Sequence, residues 1–286
     1  REENAVATSK KDVTEIPYDE LQVAWDAVKN AKEGEPLEAK KALQDKSEAL
    51  LSQVKEENVD MTNAGELAEW LEINNSLNSK NNAERNKALG ARLKSVYAQY
   101  DKENGLEKLT PAQAEEIVKT NEALSKQFAG FDPFESDNPA FANVKDFYNK
   151  LNIDNSDKSV DEVNKEQYMH DMAELAKREA ISQLSANAEF LKLPADKQSE
   201  MFAQVYAGCM EQGAVSIIVN ETMKKLSDEQ RNDPNVKNEV EQASAEAFAN
   251  MAQSDAVTVS NTAALGAYEG RAQAQTIYDK RIGQKI

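Results

Sequence analysis

Residues 110–130, TPAQAEEIVKTNEALSKQFAG, show most clearly how this chain folds. Thr110, Pro111 and Gln113 form a typical helix start, because threonine caps the first turn, proline suits the first helical position and glutamine at N3 completes a capping box. Gly130 is placed to end the helix. Apolar residues recur between them at helical spacing, namely Ala114, Ile117, Val118, Leu124 and Phe128. The stretch therefore predicts an amphipathic helix.

The same pattern recurs along the chain. Further helix starts are indicated at Pro17, Pro36, Asn63, Asn138–Pro139, Ser159 with Glu162, Asp233–Pro234 and Asn261. The helix that follows the one starting at Asn63 is expected to end at Gly105, and another helix is expected to follow Pro194. We interpret residues 214–219 as a buried helical turn after a helix that ends near Gly213, and residues 256–260 as a break. No segment has a visible partner strand. The sequence predicts an all-α fold, an irregular array of about ten helices without significant sheet.

Two subdomains are expected. Residues 130–138 are the least regular part of the chain, because Pro133 and Pro139 disfavour helix in the residues that precede them. We therefore expect an N-terminal helical subdomain over residues 1–130, with a polar N-terminal arm, and a C-terminal helical subdomain over residues 131–286.

The net charge of −17 limits the possible partners. A surface this acidic repels phosphate backbones and anionic lipid, so we expect no nucleic-acid binding. No apolar run approaches the roughly 18–20 residues that span a bilayer, so we expect no membrane insertion. The start at Arg1 rather than Met leaves proteolytic processing and secretion open and assigns no compartment.

Few side chains here are typical of catalysis, since the chain has one histidine and one cysteine. His170 lies one turn from Glu166 and from Glu174, a spacing that suits a metal site or a carboxylate-tuned base, but we interpret it as a solvated or capping histidine. Cys209 falls in register with Phe202 and neighbouring apolar residues, which indicates a buried thiol. We expect no catalytic residue, no metal and no cofactor.

The oxygen-rich segment 154–162 resembles a calcium loop in composition only. An EF-hand needs Gly at position 6 and Glu at position 12. Counted from Asp157, those positions hold Glu162 and Tyr168. We therefore expect turn residues that precede a helix.

Five of the eight phenylalanines lie within residues 128–147. Aromatic side chains on an irregular segment form either an apolar plug between helices or a docking element for a partner. We favour the plug, and we take Phe131, Phe134 and Phe141 as candidate partner-binding residues.

The function that this pattern favours is a non-enzymatic interaction or assembly protein. It would act as a structural, scaffolding or adaptor component with protein partners or as a homo-oligomer, and a processed component of a virion or secretion assembly would suit the composition. The alternative is a small-molecule or peptide binding module, with a groove lined by Trp25, Trp70, Tyr97 and Tyr100. A carboxylate-based hydrolase is a further possibility, and it would need one acid with a raised pKa facing a second carboxylate.

Overall fold

The computed structural model describes Lys41, Asp45 and residues 83–286. Lys41 and Asp45 are helical and exposed. The helices expected to start at Pro17, Pro36 and Asn63 lie outside the described residues. The chain divides into two compact units, Arg1–Leu109 and Thr110–Ile286.

In the first unit, helix α1 (Ala83–Glu103) ends as the sequence predicts. Gly105 follows it with φ 70°, a left-handed conformation that costs glycine little and other residues more. The N–H of Leu106 then donates to the carbonyl of Asp101 at 2.7 Å. This reversal stops the helix and buries Leu106.

The second unit is built mainly from helices, so the all-α prediction is confirmed for the part of the chain that the structure describes. Its helices are α2 (Pro111–Gln127), α3 (Ala142–Lys150), α4 (Lys165–Ser185), α5 (Ala188–Leu191), α6 (Ala195–Lys224), α7 (Asp228–Arg231), α8 (Pro234–Ala249) and α9 (Asn261–Gly283). Short 3-10 helices lie at Pro139–Phe141 and Met251–Gln253.

Two four-residue strands, β1 (Leu151–Asp154) and β2 (Val257–Ser260), pair in parallel. Leu151 is opposite Val257, and Asp154 is opposite Ser260. The segment interpreted as a break before α9 is thus a strand. Its partner is β1, far away in sequence, and α4 to α8 make the long connection that a parallel pair requires.

The core of the second unit surrounds α6, which packs against α3, α4, α8 and α9. Because neighbours surround this helix, apolar side chains lie on most of its sides rather than on one stripe. Its buried residues include Phe202, Tyr206, Cys209, Met210 and Ile217.

Several predicted helix starts are confirmed by their caps. The side chain of Thr110 accepts from the N–H of Gln113 at 3.2 Å, and the side chain of Gln113 accepts from the N–H of Thr110 at 3.0 Å. Asp233 caps α8 by accepting from the N–H of Asn235. Local hydrogen bonding therefore determines these boundaries, as the sequence indicated.

The helix start predicted at Ser159 is wrong. Helix α4 begins at Lys165, and its N-cap is Asn164, whose side chain accepts from the N–H of Gln167 at 3.0 Å. Ser159 instead donates its N–H and its hydroxyl to the carboxylate of Asp157. An Asx turn thus uses the serine that a capping box would need.

The helix end predicted near Gly213 is also wrong, because α6 continues through it to Lys224. Gly213 is buried, and a Cβ there would lie 3.1 Å from Cε of Met172. The glycine therefore allows α4 and α6 to approach closely and does not end the helix.

Residues 110–130 belong to the second unit. Helix α2 packs against α4 and α9. Just after it, the ring of Phe128 stacks on Phe202 with a centroid distance of 3.7 Å and an interplanar angle of 8°. The irregular segment that follows is therefore enclosed within one unit.

Candidate functional site

Residues 129–138, called the junction segment below, leave α2 without forming regular structure. Short polar side chains hold its turns. The carboxylate of Asp132 accepts from the N–H of Phe134 at 2.9 Å, and the hydroxyl of Ser136 accepts from the N–H of Asn138 at 3.2 Å. These Asx and serine turns give the segment a defined course between two helices.

The aromatic side chains of the junction segment point toward the core. The ring of Phe131 lies 5.5 Å from Phe202 and 5.6 Å from Phe141, and that of Phe134 lies 5.7 Å from Tyr148. Phe131 and Phe134 are half-buried, whereas Phe141 is completely buried. Phe141 thus supports the segment from inside, and only the other two candidate residues retain surface for a partner.

A pocket of about 370 Å³ separates the junction segment from one face of α4. The junction segment contributes residues 129–134 to its wall. From α4 come side chains at helical spacing: Glu166, Met169, His170, Ala173, Glu174 and Lys177. Two features that the sequence showed separately, the aromatic segment and the helix face of His170, therefore meet at one site.

The charged lining of the pocket is predominantly acidic. Asp132, Glu166 and Glu174 contribute carboxylates, and Lys177 contributes an ammonium group. Nζ of Lys177 lies 3.3 Å from Oε1 of Glu174 and donates to the carbonyl of Ala129 at 3.5 Å. The Lys177 side chain is only 6% exposed. It therefore ties α4 to the junction segment, and its charge is already engaged.

The carboxylates of the pocket also affect the pKa of the neighbouring Tyr206. Its hydroxyl donates to the carbonyl of Ala173, a lining residue, at 2.8 Å. Burial raises the pKa of Tyr206 above its usual range, and the carboxylates of Glu174 and Asp132 raise this pKa further. Both carboxylates thus disfavour additional negative charge beside the pocket.

His170 and Cys209 occupy different environments. His170 is exposed and lines the pocket. Cys209 is buried, and its thiol accepts from Nε2 of Gln183 at 3.6 Å. Burial raises the pKa of Cys209 to about 12, so the thiol stays protonated near neutral pH. A protonated, buried thiol is a poor nucleophile.

Sequence reasoning missed a buried ion pair between α4 and α9. Arg271 donates to Oε2 of Glu179, and its Nη1 lies within 3.4 Å of the hydroxyl of Ser216. Burial raises the pKa of Glu179, although the Arg271 charge opposes the shift. Glu179 is outside the pocket lining, so it does not supply the raised carboxyl that a hydrolase would need there. A charged residue inside a helix carries no sequence signal that its partner is 92 positions away.

The oxygen-rich segment after β1 uses its side chains as turn acceptors. The carboxylate of Asp154 accepts from the N–H of Ser156, and Asn155 pairs with both backbone groups of Val163. The hydrogen bonds from Ser159 lower the pKa of Asp157. Within the described residues, no group of three or more His, Cys, Asp and Glu side chains could hold a metal ion.

Two further predictions, the absence of membrane insertion and the alternative aromatic groove, concern residues that the structure describes only in part. None of the described helices is long and apolar enough to cross a membrane. Of the alternative aromatic groove, Tyr97 is buried and Tyr100 is half-buried on α1, whereas Trp25 and Trp70 lie outside the described residues. The described residues therefore leave this groove as a prediction.

Comparisons with protein-family models, with curated proteins and with solved structures give no match to this chain. No relative therefore assigns a role to the pocket or to its residues, and its function has to be inferred from its own geometry.

Proposed function

We propose that this chain is a non-enzymatic interaction protein that docks a partner polypeptide at the pocket between the junction segment and α4. The observation that carries the proposal is the lining of this pocket. It combines half-buried aromatic rings, Phe131 and Phe134, with carboxylates at a concave site. Aromatic anchors with a polar rim are typical of protein interfaces.

The groups near the pocket support docking better than catalysis. The thiol of Cys209 is buried and protonated, and Glu179 with its raised pKa is engaged with Arg271. Lys177, the buried cation of the pocket, is held by Glu174. Each of these groups has a structural partner, and Cys209 and Glu179 lie outside the pocket lining, so neither supplies a nucleophile or an acid there.

A different chain is a better partner than a second copy. With a net charge of −17, two copies repel each other, and the acidic pocket adds to this repulsion. An adaptor or scaffolding component that gathers basic partners is the role that fits this charge.

A small-molecule site is the second candidate, and the pocket volume favours it. A cavity of about 370 Å³ lies at the lower end of the roughly 300–1,000 Å³ range of ligand pockets. A drug-sized molecule would fill it, whereas a partner protein would insert one or two side chains and cover the rim.

Native mass measurement on the full chain, isolated from cells that produce it, tests the proposal. Met169→Glu places a charge on the half-buried pocket wall, and Leu191→Glu is the matched control at an apolar residue that is 39% exposed outside the pocket. We expect wild type and Leu191→Glu in a complex heavier than the monomer, and Met169→Glu as a folded monomer.

A complex that survives in Met169→Glu would contradict docking at this pocket. A wild-type mass equal to the monomer plus a small molecule would favour the second candidate. Substrate turnover by the purified chain that is lost in Glu174→Gln would favour carboxylate chemistry instead.

A further inference from the structure

We infer that the pocket recognises a cationic side chain, a lysine ammonium or an arginine guanidinium, presented by a basic segment of the partner. This inference rests on the proposed function and specifies the chemistry of its ligand. It stands on three independent observations: the placement of the carboxylates, the engagement of the single pocket lysine and the apolar walls.

The carboxylates come from both sides of the pocket. Glu166 and Glu174 are two turns apart on α4, and Asp132 approaches from the junction segment. Among the described residues, Glu166 has no ion-pair or hydrogen-bond partner, and Asp132 accepts only the backbone N–H of Phe134. Two carboxylates at the pocket therefore lack a cationic partner in this part of the chain.

The cation that the pocket already contains does not neutralise them. Lys177 is engaged with Glu174 and with the carbonyl of Ala129. With three carboxylates against one lysine and one histidine in the lining, the pocket carries an excess of acidic side chains. A second cation would complete the charge balance, and an anion would be repelled.

The walls suit the stem of a long basic side chain. Phe131, Phe134 and Met169 provide apolar contact for methylene groups, and aromatic rings attract cations within about 6 Å of the ring centroid. A purely apolar side chain would instead remove water from Glu166 and Asp132 without replacing it. Because a carboxylate that loses its water without gaining a partner is destabilised, this outcome is disfavoured.

The experiment titrates short capped peptides into the full chain. The probes are Ala-Ala-Lys-Ala-Ala and versions with arginine, norleucine or glutamate at the central position. The ring signals of His170 report on the pocket directly, because this is the single histidine of the chain and it lines the site. We expect the lysine and arginine peptides to shift these signals at low salt, and the norleucine and glutamate peptides to leave them unchanged.

Variants locate the interaction. Glu166→Gln and Asp132→Asn each remove one charge, and asparagine keeps the acceptor that holds Phe134. Each change should weaken lysine-peptide binding about two- to fivefold, as expected for one partly exposed ion pair. Glu189→Gln is the control, because Glu189 is an exposed carboxylate outside the pocket, where it pairs with Lys192. Its affinity for the peptide should equal that of wild type.

The outcomes separate this inference from the proposed function. Equal binding of the norleucine and lysine peptides would overturn cation recognition while leaving docking at the pocket intact. Unchanged affinity in Glu166→Gln and Asp132→Asn would likewise overturn it. A complex lost in Met169→Glu, together with no response of His170 to any peptide, would also reject the cationic ligand and retain the docking site.

Discussion

Arg271 on α9 donates to Oε2 of Glu179 on α4, while Oε1 of the same carboxylate is buried without a hydrogen-bond partner among the described residues. The Glu179 side chain is 13% exposed and that of Arg271 is 18% exposed. Arg271 has further acceptors in the hydroxyl of Ser216 and the carbonyl of Cys209, whereas the Glu179 carboxylate depends on its contact with Arg271 to offset its removal from water.

The two members of this pair should be energetically coupled. We expect Glu179→Gln and Arg271→Gln each to lower the free energy of unfolding by about 2 kcal/mol, because each leaves the other charge unpaired. The double variant should lose less than the sum of the two, with a coupling energy of about 1–2 kcal/mol in urea unfolding.

The matched control for that cycle is the pair Arg178 and Asp279, which joins the same two helices. Its side chains are 57% and 45% exposed. Coupling measured with Arg178→Gln and Asp279→Asn should stay below about 1 kcal/mol, as for other exposed pairs. Equal coupling in the two cycles would show that burial of the Glu179 pair has no energetic consequence.

The same carboxyl makes stability depend on pH. The pKa of Glu179 is raised above its usual 4.5 in the folded chain. A raised carboxyl pKa means that the folded state binds the proton more tightly, so the contribution is complete below about pH 4.5 and is lost as the pH rises through the folded pKa. The unfolding free energy of wild type minus that of Glu179→Gln should therefore decrease as the pH rises above 4.5. A difference that increases over this range would mean that Arg271 outweighs desolvation.

Helix caps provide a further test. Thr110→Ala and Asn164→Ala each remove a side-chain acceptor at an N-cap and should cost about 1 kcal/mol. Ser159→Ala should change stability by less than about 0.5 kcal/mol, because Ser159 lies in an exposed turn before α4. Urea unfolding of the three variants measures these losses in the free energy of unfolding. An equal loss in Ser159→Ala and Asn164→Ala would indicate that α4 begins earlier than Lys165.

These caps also show why most of the helices could be predicted from sequence. A cap acts within three residues, so Thr110 with Gln113 predicts α2 without knowledge of the rest of the chain. Ser159 with Glu162 had the same spacing, but the nearby Asp157 competed for the serine. A local pattern fails where two local hydrogen bonds exclude each other.

Features that depend on distant residues could not be predicted. The partner of β1 is β2, and each strand has only four residues, too few for a clear alternation. Gly213 matches a helix end in sequence, and only the position of Met172 shows that it serves packing. The pocket is a case of the same kind, since Phe131 and His170 were each noted but nothing in the sequence placed them together.

The thiol of Cys209 provides a test of the core. Because it is buried and its pKa is about 12, it should react with a thiol reagent such as DTNB only when the chain unfolds. We expect labelling at neutral pH to be at least about tenfold slower in buffer than in denaturant. Cys209→Ser should lower the free energy of unfolding by about 1–2 kcal/mol, since a hydroxyl is less favourable than a thiol in this environment. Rapid labelling of the folded chain would show that α6 opens around this residue.

The junction segment gives the most discriminating stability test, with Phe131→Ser and Phe134→Ser combined. Both rings are half-buried and contact core aromatic residues, so each should contribute about 1 kcal/mol from burial and aromatic contacts. For a unit of this size, a loss of about 2 kcal/mol lowers the Tm by about 4–8 °C.

Leu191→Ser is the control, because its side chain lies outside this cluster and is 39% exposed. Its Tm should stay within about 2 °C of wild type. A lowered Tm in the double variant supports the plug, and loss of the native complex in the same variant adds a docking role. An unchanged Tm with loss of the complex would contradict the plug, because the two rings would then stabilise the bound state alone.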